Sequence, residues 1–274
     1  MSQKSPDQTQ VWDNYWSREN KAQLKDDAMC LFLAIAISDA FRKLTGHYPK
    51  SAVEMGAGSG RTSRYLNEGG AETGILDLSP EALKLAAHAN QGLLNEVRYF
   101  EADLFKVDRK LTGRPYEMVW NAGVLEHFTA VEQRALLHRM ASVLTDDGLM
   151  MVLCPYAGAI FYRLGKAVLE AIGKFPYGRE VPVKTLKPVL PEGLEMVGRE
   201  RSLGFLILFF NAFKLFANFP ALGGVGRFAH RVVTSTVLTL LKFSPTRTAL
   251  FALDRVLSAV FGGYLLLSVC RTSR

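Results

Sequence analysis

Residues 52–66 read AVEMGAGSGRTSRYL, an apolar run that breaks into three glycines, Gly56, Gly58 and Gly60, within five positions. Glycine tolerates positive φ and lets a backbone approach a ligand closely, so such a turn after a strand is a place to grip a small molecule. The spacing restricts which one. Dinucleotide sites put the third glycine three positions after the second; here it follows by two, and Arg61 stands where that pattern needs a small residue for helix packing. The Gly-Lys-Ser/Thr ending of a phosphate-binding P-loop is missing too. What remains is another ligand, or a bare strand-to-helix turn.

The elements that would position this turn alternate regularly. Residues 24–44 read as a helix ended by Gly46 and Pro49. The strand SAVEM, the glycine turn and a helix over RTSRYLNE stopped by two glycines then form a first βα unit. ETGILDLS is the next strand, and Ser79 before Pro80 is a good N-cap with proline at the first helical position. A helix over PEALKLAAHANQ, strands at VRYFEADL and YEMVWNAG, a helix over AVEQRALLHRMASVL and a strand at GLMMVLCP follow. This is the rhythm of an open α/β sheet.

Composition narrows the class. At 49% hydrophobic residues over 274 positions the chain can bury a sizeable core as one structural domain. Cys30, Cys154 and Cys270 lie far apart and match neither a metal spacing nor a full disulfide pairing, so no metal site is expected and a reducing cytoplasm fits best. The polar start MSQKSPDQTQVWDNYW has no signal-peptide core. The net charge of +7 is uneven: residues 1–150 carry 17 Lys/Arg against 20 Asp/Glu, and residues 151–274 carry 16 against 6. The basic half is also the greasier one, which suits an anionic membrane surface better than a nucleic acid.

Four segments in order, VEMGAGSG, GILDLSPEAL, FEADLF and VWNAGVLEHF, resemble the successive motifs of class I S-adenosylmethionine-dependent methyltransferases. The resemblance spans about residues 52–128 and continues in register to 155. It implies a Rossmann-like, seven-stranded α/β sheet with helices on both faces, and S-adenosylmethionine as cofactor. It also implies a binding set. Gly56, Ala57, Gly58 and Gly60 give the cofactor close backbone approach, and Glu54 lies near its amino acid end. Asp77 accepts from the ribose hydroxyls, with Leu78 and Ser79 bordering the adenine. Asp103, flanked by Ala102 and Leu104, accepts from the adenine amino group or, in the plainer alternative, caps a helix. Asn121, Ala122 and Gly123 end the fourth strand, where cofactor and acceptor meet.

Glu126 and His127 follow that strand. A histidine beside a methyl donor is a candidate base, because its ordinary pKa lies near neutrality; Glu126 is the second catalytic candidate, and both have a structural alternative. Trp12, Tyr15 and Trp16 resemble the family's N-terminal lid and, with Tyr156 after the fifth strand, are the expected substrate contacts. The fourth motif lacks the Asn/Asp-Pro-Pro-Tyr/Phe run of amino-methylating nucleic-acid enzymes. Nucleic acid is therefore not the expected partner, and oxygen or carbon is the expected nucleophile.

The remaining chain departs from the compact family pattern. Some 55–60 residues separate the expected sixth strand, LEMVGRERSL, from the seventh, GGYLLLSVCRTSR. The organisation read from this is an N-terminal helical cap at 1–50, a core at 51–203 and 262–274, and an apolar, basic helical insertion at 204–261 before the last strand. Asn211, Lys214 and Asn218 fall on one face of a helix there. The longest uncharged run, the 15 residues from Val256 to Cys270, is too short to span a bilayer. The insertion could lie in a membrane interface with Arg227, Arg231, Lys242 and Arg247 toward anionic headgroups, form a tunnel for a greasy substrate, or bury itself in a subdomain or homodimer surface. The resulting expectation is a methyltransferase acting on an apolar or lipid-like acceptor, cytoplasmic and peripheral on the inner face of a membrane. Its alternatives are a soluble natural-product enzyme with a dimer surface, or a catalytically silent cofactor-binding protein.

Overall fold

The computed structural model describes residues 8–17, 27–175, 177–209 and 223–273. Eight strands form one sheet: β1 (Ser51–Met55), β2 (Glu72–Asp77), β3 (Val97–Glu101), β4 (Tyr116–Ala122), β5 (Leu144–Pro155), β6 (Leu194–Met196), β7 (Arg201–Leu203) and β8 (Leu265–Thr272). Their order is β3-β2-β1-β4-β5-β8-β6, with β7 also on β8. The first five pair in parallel, and β8 runs antiparallel to β5, β6 and β7.

Eight strands stand where seven were expected, because the sixth is interrupted. Gly198 takes φ +74°, and the carboxylate of Glu200 accepts from the Leu186 amide at 2.8 Å and from the Thr185 and Ser268 hydroxyls. Residues 198–200 leave the ladder to make these bonds, so β6 and β7 are two halves of one sheet position. The helix expected over 24–44 is α2 (Ala28–Thr45), started by Asp27, whose side chain accepts from the amides of Met29 and Cys30; residues 24–26 lie outside the described residues.

Both faces of the sheet are covered. On one face Met118, Trp120 and Leu153 pack with Phe32, Ile37 and Phe41 of α2. On the other, Val119 and Val152 pack with Leu136, Leu137 and Met140 of a helix that follows β4, Ala130–Ser142. Helix α3 (Arg61–Glu68) follows β1, and α4 (Pro80–Ala89) follows β2 with Ser79 as its N-cap. The short N-terminal helix α1 (Gln8–Trp16) crosses to α4.

A helical stretch separates β7 from β8. Residues 205–209 are helical, and two long helices follow, Gly223–Lys242 and Ser244–Phe261. Val237 and Leu241 are buried against the α2 core, and Phe251 stacks on Phe32 with ring centroids 4.5 Å apart. Asp254, 1% exposed, accepts from the amides of Gly204 and Leu206 at 2.9 Å each and so pins the start of the insertion to its last helix. The polar face expected at Asn211, Lys214 and Asn218 and the side chain of Arg227 lie outside the described residues. No described helix is long and apolar enough to cross a membrane.

Candidate active site

The carboxyl ends of β1, β2 and β4 reach one edge of the sheet, because Glu54 is in register with Ile75 and Trp120. A cavity of about 750 Å³ opens there. The glycine turn forms its floor, with φ +73°, +53° and +61° at Gly56, Gly58 and Gly60. A Cβ on Gly56 would meet Val124 at 2.7 Å, and one on Gly58 would meet the Trp16 ring at 2.2 Å. The turn's amides are already engaged: Gly56 and Ala57 donate to the Leu76 carbonyl, Gly60 to Ala57, and Gly58 to Asp77 Oδ2 at 2.7 Å. What the glycines contribute is therefore space and an approachable backbone rather than free donors. Gly60 does not line the cavity; it lets α4 approach, since its Cβ would meet Ala86 and Ile75 at 3.0 Å.

Three carboxyl groups converge on this end. Asp77 is 7% exposed and accepts from the amides of Gly58 and Ser79, tying the two turns together; burial pushes its carboxyl up despite those bonds. Glu54 accepts from the Ser63 hydroxyl at 2.6 Å, and burial pushes it up to about 8. Asp103 caps the one-turn helix Leu104–Lys106 by accepting from the Phe105 amide, the plainer of its two expected roles, and it also lines the cavity. Leu78, Leu104, Ala122 and Gly123 line it as well.

Besides Gly60, four expected residues do not. Ser79 caps α4 and donates to Asp13 of α1, Ala102 donates its amide to the Asp77 carbonyl, and Asn121 turns into the core. There Asn121 is fully buried with Nδ2 3.4 Å from Met140 Sδ, on the face of β4 opposite Trp120. Tyr156, expected as a substrate wall, lies over Gly158 and outside the cavity.

The roof and far end are aromatic and acidic. Trp12, Tyr15 and Trp16 on α1 line the cavity. Trp16 packs on Leu85 and Ala89, Tyr15 meets Trp16 edge-on at 4.9 Å and Tyr177 at 5.6 Å, and Trp12 meets His127 edge-on at 5.5 Å. His127 Nδ1 donates to the Arg179 carbonyl at 2.8 Å, which leaves the lone pair on Nε2. Glu126 is 2% exposed, and burial, with Glu180 nearby, pushes it up to about 8. Glu180, also raised by burial, accepts from the Tyr162 hydroxyl.

Glu180, Tyr177 and Tyr264 were not anticipated, nor were Met29, Cys30 and Leu33 of α2, which form a wall. The run AMCLFLAIAI marks α2 as an apolar helix, but nothing in it marks Met29, Cys30 and Leu33 as cavity residues.

Residues 52–148 match the profile of a family described as a methyltransferase domain. No curated protein matches the sequence. Among solved structures, the chain is similar to the plantazolicin methyltransferase BpumL in complex with SAH, at 12% identity over 98% of this chain and 91% of that one, with a TM-score of 0.57. It is also similar to the N-methyltransferase NodS from Bradyrhizobium japonicum in complex with S-adenosyl-l-homocysteine, at 16% identity over 72% and 90%, TM-score 0.50. A third structure, described by the conversion of a disulfide bond into a thioacetal group during echinomycin biosynthesis, matches at 20% identity over 72% and 82%, TM-score 0.51. At these identities the likeness is one of fold.

Proposed function

We propose that this chain, whose residues 52–148 match a methyltransferase-domain profile and whose fold is that of class I enzymes, moves the methyl group of S-adenosylmethionine onto a small, apolar or lipid-like acceptor beneath helix α1. The observation that carries this reading is the cavity itself, in which a side-chain-free turn and the carboxyl groups of Glu54, Asp77 and Asp103 face one another under an aromatic roof.

The cofactor supplies, when bound, a methyl carbon on a sulfonium, an electrophile with its leaving group built in. The chain's part is alignment and exclusion of water. Asp77 has lone pairs beyond those taken by Gly58 and Ser79, enough for a pair of ribose hydroxyls. Asp103 caps its turn with Oδ1, and Oδ2, 3.7 Å from Lys106 Nζ, has lone pairs left for an amino group. Glu54 suits the cofactor's ammonium, because a cation beside it favours the ionised carboxylate that burial disfavours. Trp12, Tyr15 and Trp16 close the chamber, and His127 Nε2 is placed to take a proton from the acceptor.

A peripheral membrane station is supported by one contiguous surface. Phe161 meets Phe205 and Phe261 at 5.8 and 6.0 Å, and Ile160, Leu164, Val256 and Val260 beside them are exposed. Within 204–261 Asp254 is the sole acidic residue, and it is buried. An apolar patch bordered by an insertion that carries several cations and no exposed acidic residue matches an anionic lipid surface.

The test is incubation of the purified protein with methyl-labelled S-adenosylmethionine and a cell extract, followed by partition between organic solvent and water. Label in the organic phase that disappears with Asp77→Ala supports the reading. Label in water alone would overturn the lipid-like acceptor, and no label at all would overturn methyl transfer.

A further inference from the structure

The end of the cavity away from the glycine turn is an odd place for an apolar substrate to finish. Glu126 and Glu180 both line it, 2% and 9% exposed; the Glu126 carboxyl has only its own backbone amide and the weakly donating Cys154 thiol beside it, and Oε2 makes no hydrogen bond. A carboxyl oxygen left unpaired at that depth costs stability unless a ligand completes it. The cations already near are spoken for: Lys166 pairs with Glu170 and lies over the Phe175 ring at 4.0 Å, and His127 uses Nδ1 on the Arg179 carbonyl. Facing the carboxyl groups are aromatic rings from three parts of the chain, Trp12 and Tyr15 on α1, Tyr177 after the helix Ile160–Ala171, and Tyr264 at the head of β8. Ring faces and buried carboxylates share one preference, a positive charge.

Resting on the methyltransferase reading, we propose that this end of the cavity is a receptor for a basic nitrogen, held between Glu126, Glu180 and the rings of Tyr15 and Tyr177, and that this nitrogen is the atom methylated. The bound ammonium gives its proton to His127 Nε2. The freed lone pair forms the N–C bond as the C–S bond breaks and its electron pair goes to sulfur. Positive charge thus moves from sulfur to nitrogen, toward the two carboxyl groups, and a site that meets charge where it develops favours the transition state over the ground state. The expectation of an oxygen or carbon nucleophile rested on the missing Asn/Asp-Pro-Pro-Tyr/Phe run. That absence speaks against the planar amines of nucleobases and leaves an aliphatic amine open. An amphiphile with an amine head fits both the acidic chamber and the apolar surface outside it.

The experiment is a titration of the protein, saturated with S-adenosylhomocysteine, with choline and with its neutral isostere 3,3-dimethylbutan-1-ol, read by tryptophan fluorescence and by calorimetry. Choline should bind at least tenfold tighter than the alcohol. Glu180→Gln and Glu126→Gln should each cut that preference about tenfold while leaving S-adenosylhomocysteine affinity within twofold. If Glu126→Gln does not fold, Glu180→Gln and Tyr177→Leu, on a loop, carry the comparison, the latter with about a threefold loss. Equal binding of the two probes, binding of neither, or full preference in the variants overturns the cation receptor. Failure of S-adenosylhomocysteine to bind instead sinks the methyltransferase reading, and the cation preference is then read on the protein alone.

Discussion

Raising the pH from 5.5 to 8.5 should weaken the fold, and Glu54 should account for a measurable share. Burial pushes Glu54 and Glu126 from an ordinary 4.5 up to about 8. The folded chain therefore holds these protons more tightly than the unfolded chain does. The stabilisation is fully present below pH 4.5 and is lost as pH rises through 8. Between pH 5.5 and 8 each carboxyl group loses about 3 kcal/mol, at about 1.4 kcal/mol per pH unit. Asp77 and Glu180, also raised, add in the same direction, whereas Glu132, lowered by its bonds to Thr129, acts oppositely at acid pH. Glu54→Gln isolates one contribution, since glutamine can accept from Ser63 yet never ionises. Urea unfolding should find the variant's advantage over wild type larger by about 3 kcal/mol at pH 8.5 than at pH 5.5. Identical pH slopes for the two proteins would refute the reasoning, because the ionisation of Glu54 would then cost the fold nothing.

Two further outcomes are expected. Gly58→Ala should cost about 1–2 kcal/mol for the left-handed backbone alone, and by driving Trp16 from the turn it should weaken S-adenosylhomocysteine binding more than tenfold in calorimetry; an unchanged affinity would mean that the turn is not the cofactor's floor. In vesicle flotation the protein should rise with anionic lipid and not with neutral lipid, and Phe161→Asp should abolish the effect; flotation independent of lipid charge would count against the apolar face as a membrane surface.

The glycine-turn end of the cavity was legible because strand, turn and capping residues lie within about two dozen positions of one another, so Gly56, Gly58 and Asp77 announce their geometry locally. Asn121 was misread for a physical reason. β4 is buried on both faces, so its pattern does not say which side chains point at a ligand, and a register shift between Tyr116 and Met118 breaks the parity. Gly198 was visible, but nothing local showed that Glu200 would draw three hydrogen-bond donors and split a strand. The far end of the cavity was least legible. Tyr177, Glu180 and Tyr264 come from a loop and the head of β8, and only the placing of β8 beside β5 brings Tyr264 to Pro155 and Tyr156.

That placing also sets a timetable for synthesis. β8 pairs with β5 on one side and with β6 and β7 on the other, yet it is translated after all three. At about 5–20 residues per second, a ribosome spends on the order of several seconds between completing β7 and delivering β8. During that interval the new chain holds the open edge of β5 and two unpaired three-residue strands, while helices rich in leucine and valine emerge beside them. Nascent chains stalled within residues 204–264 should therefore recruit holdase chaperones, and release of β8 from the exit tunnel should end that dependence.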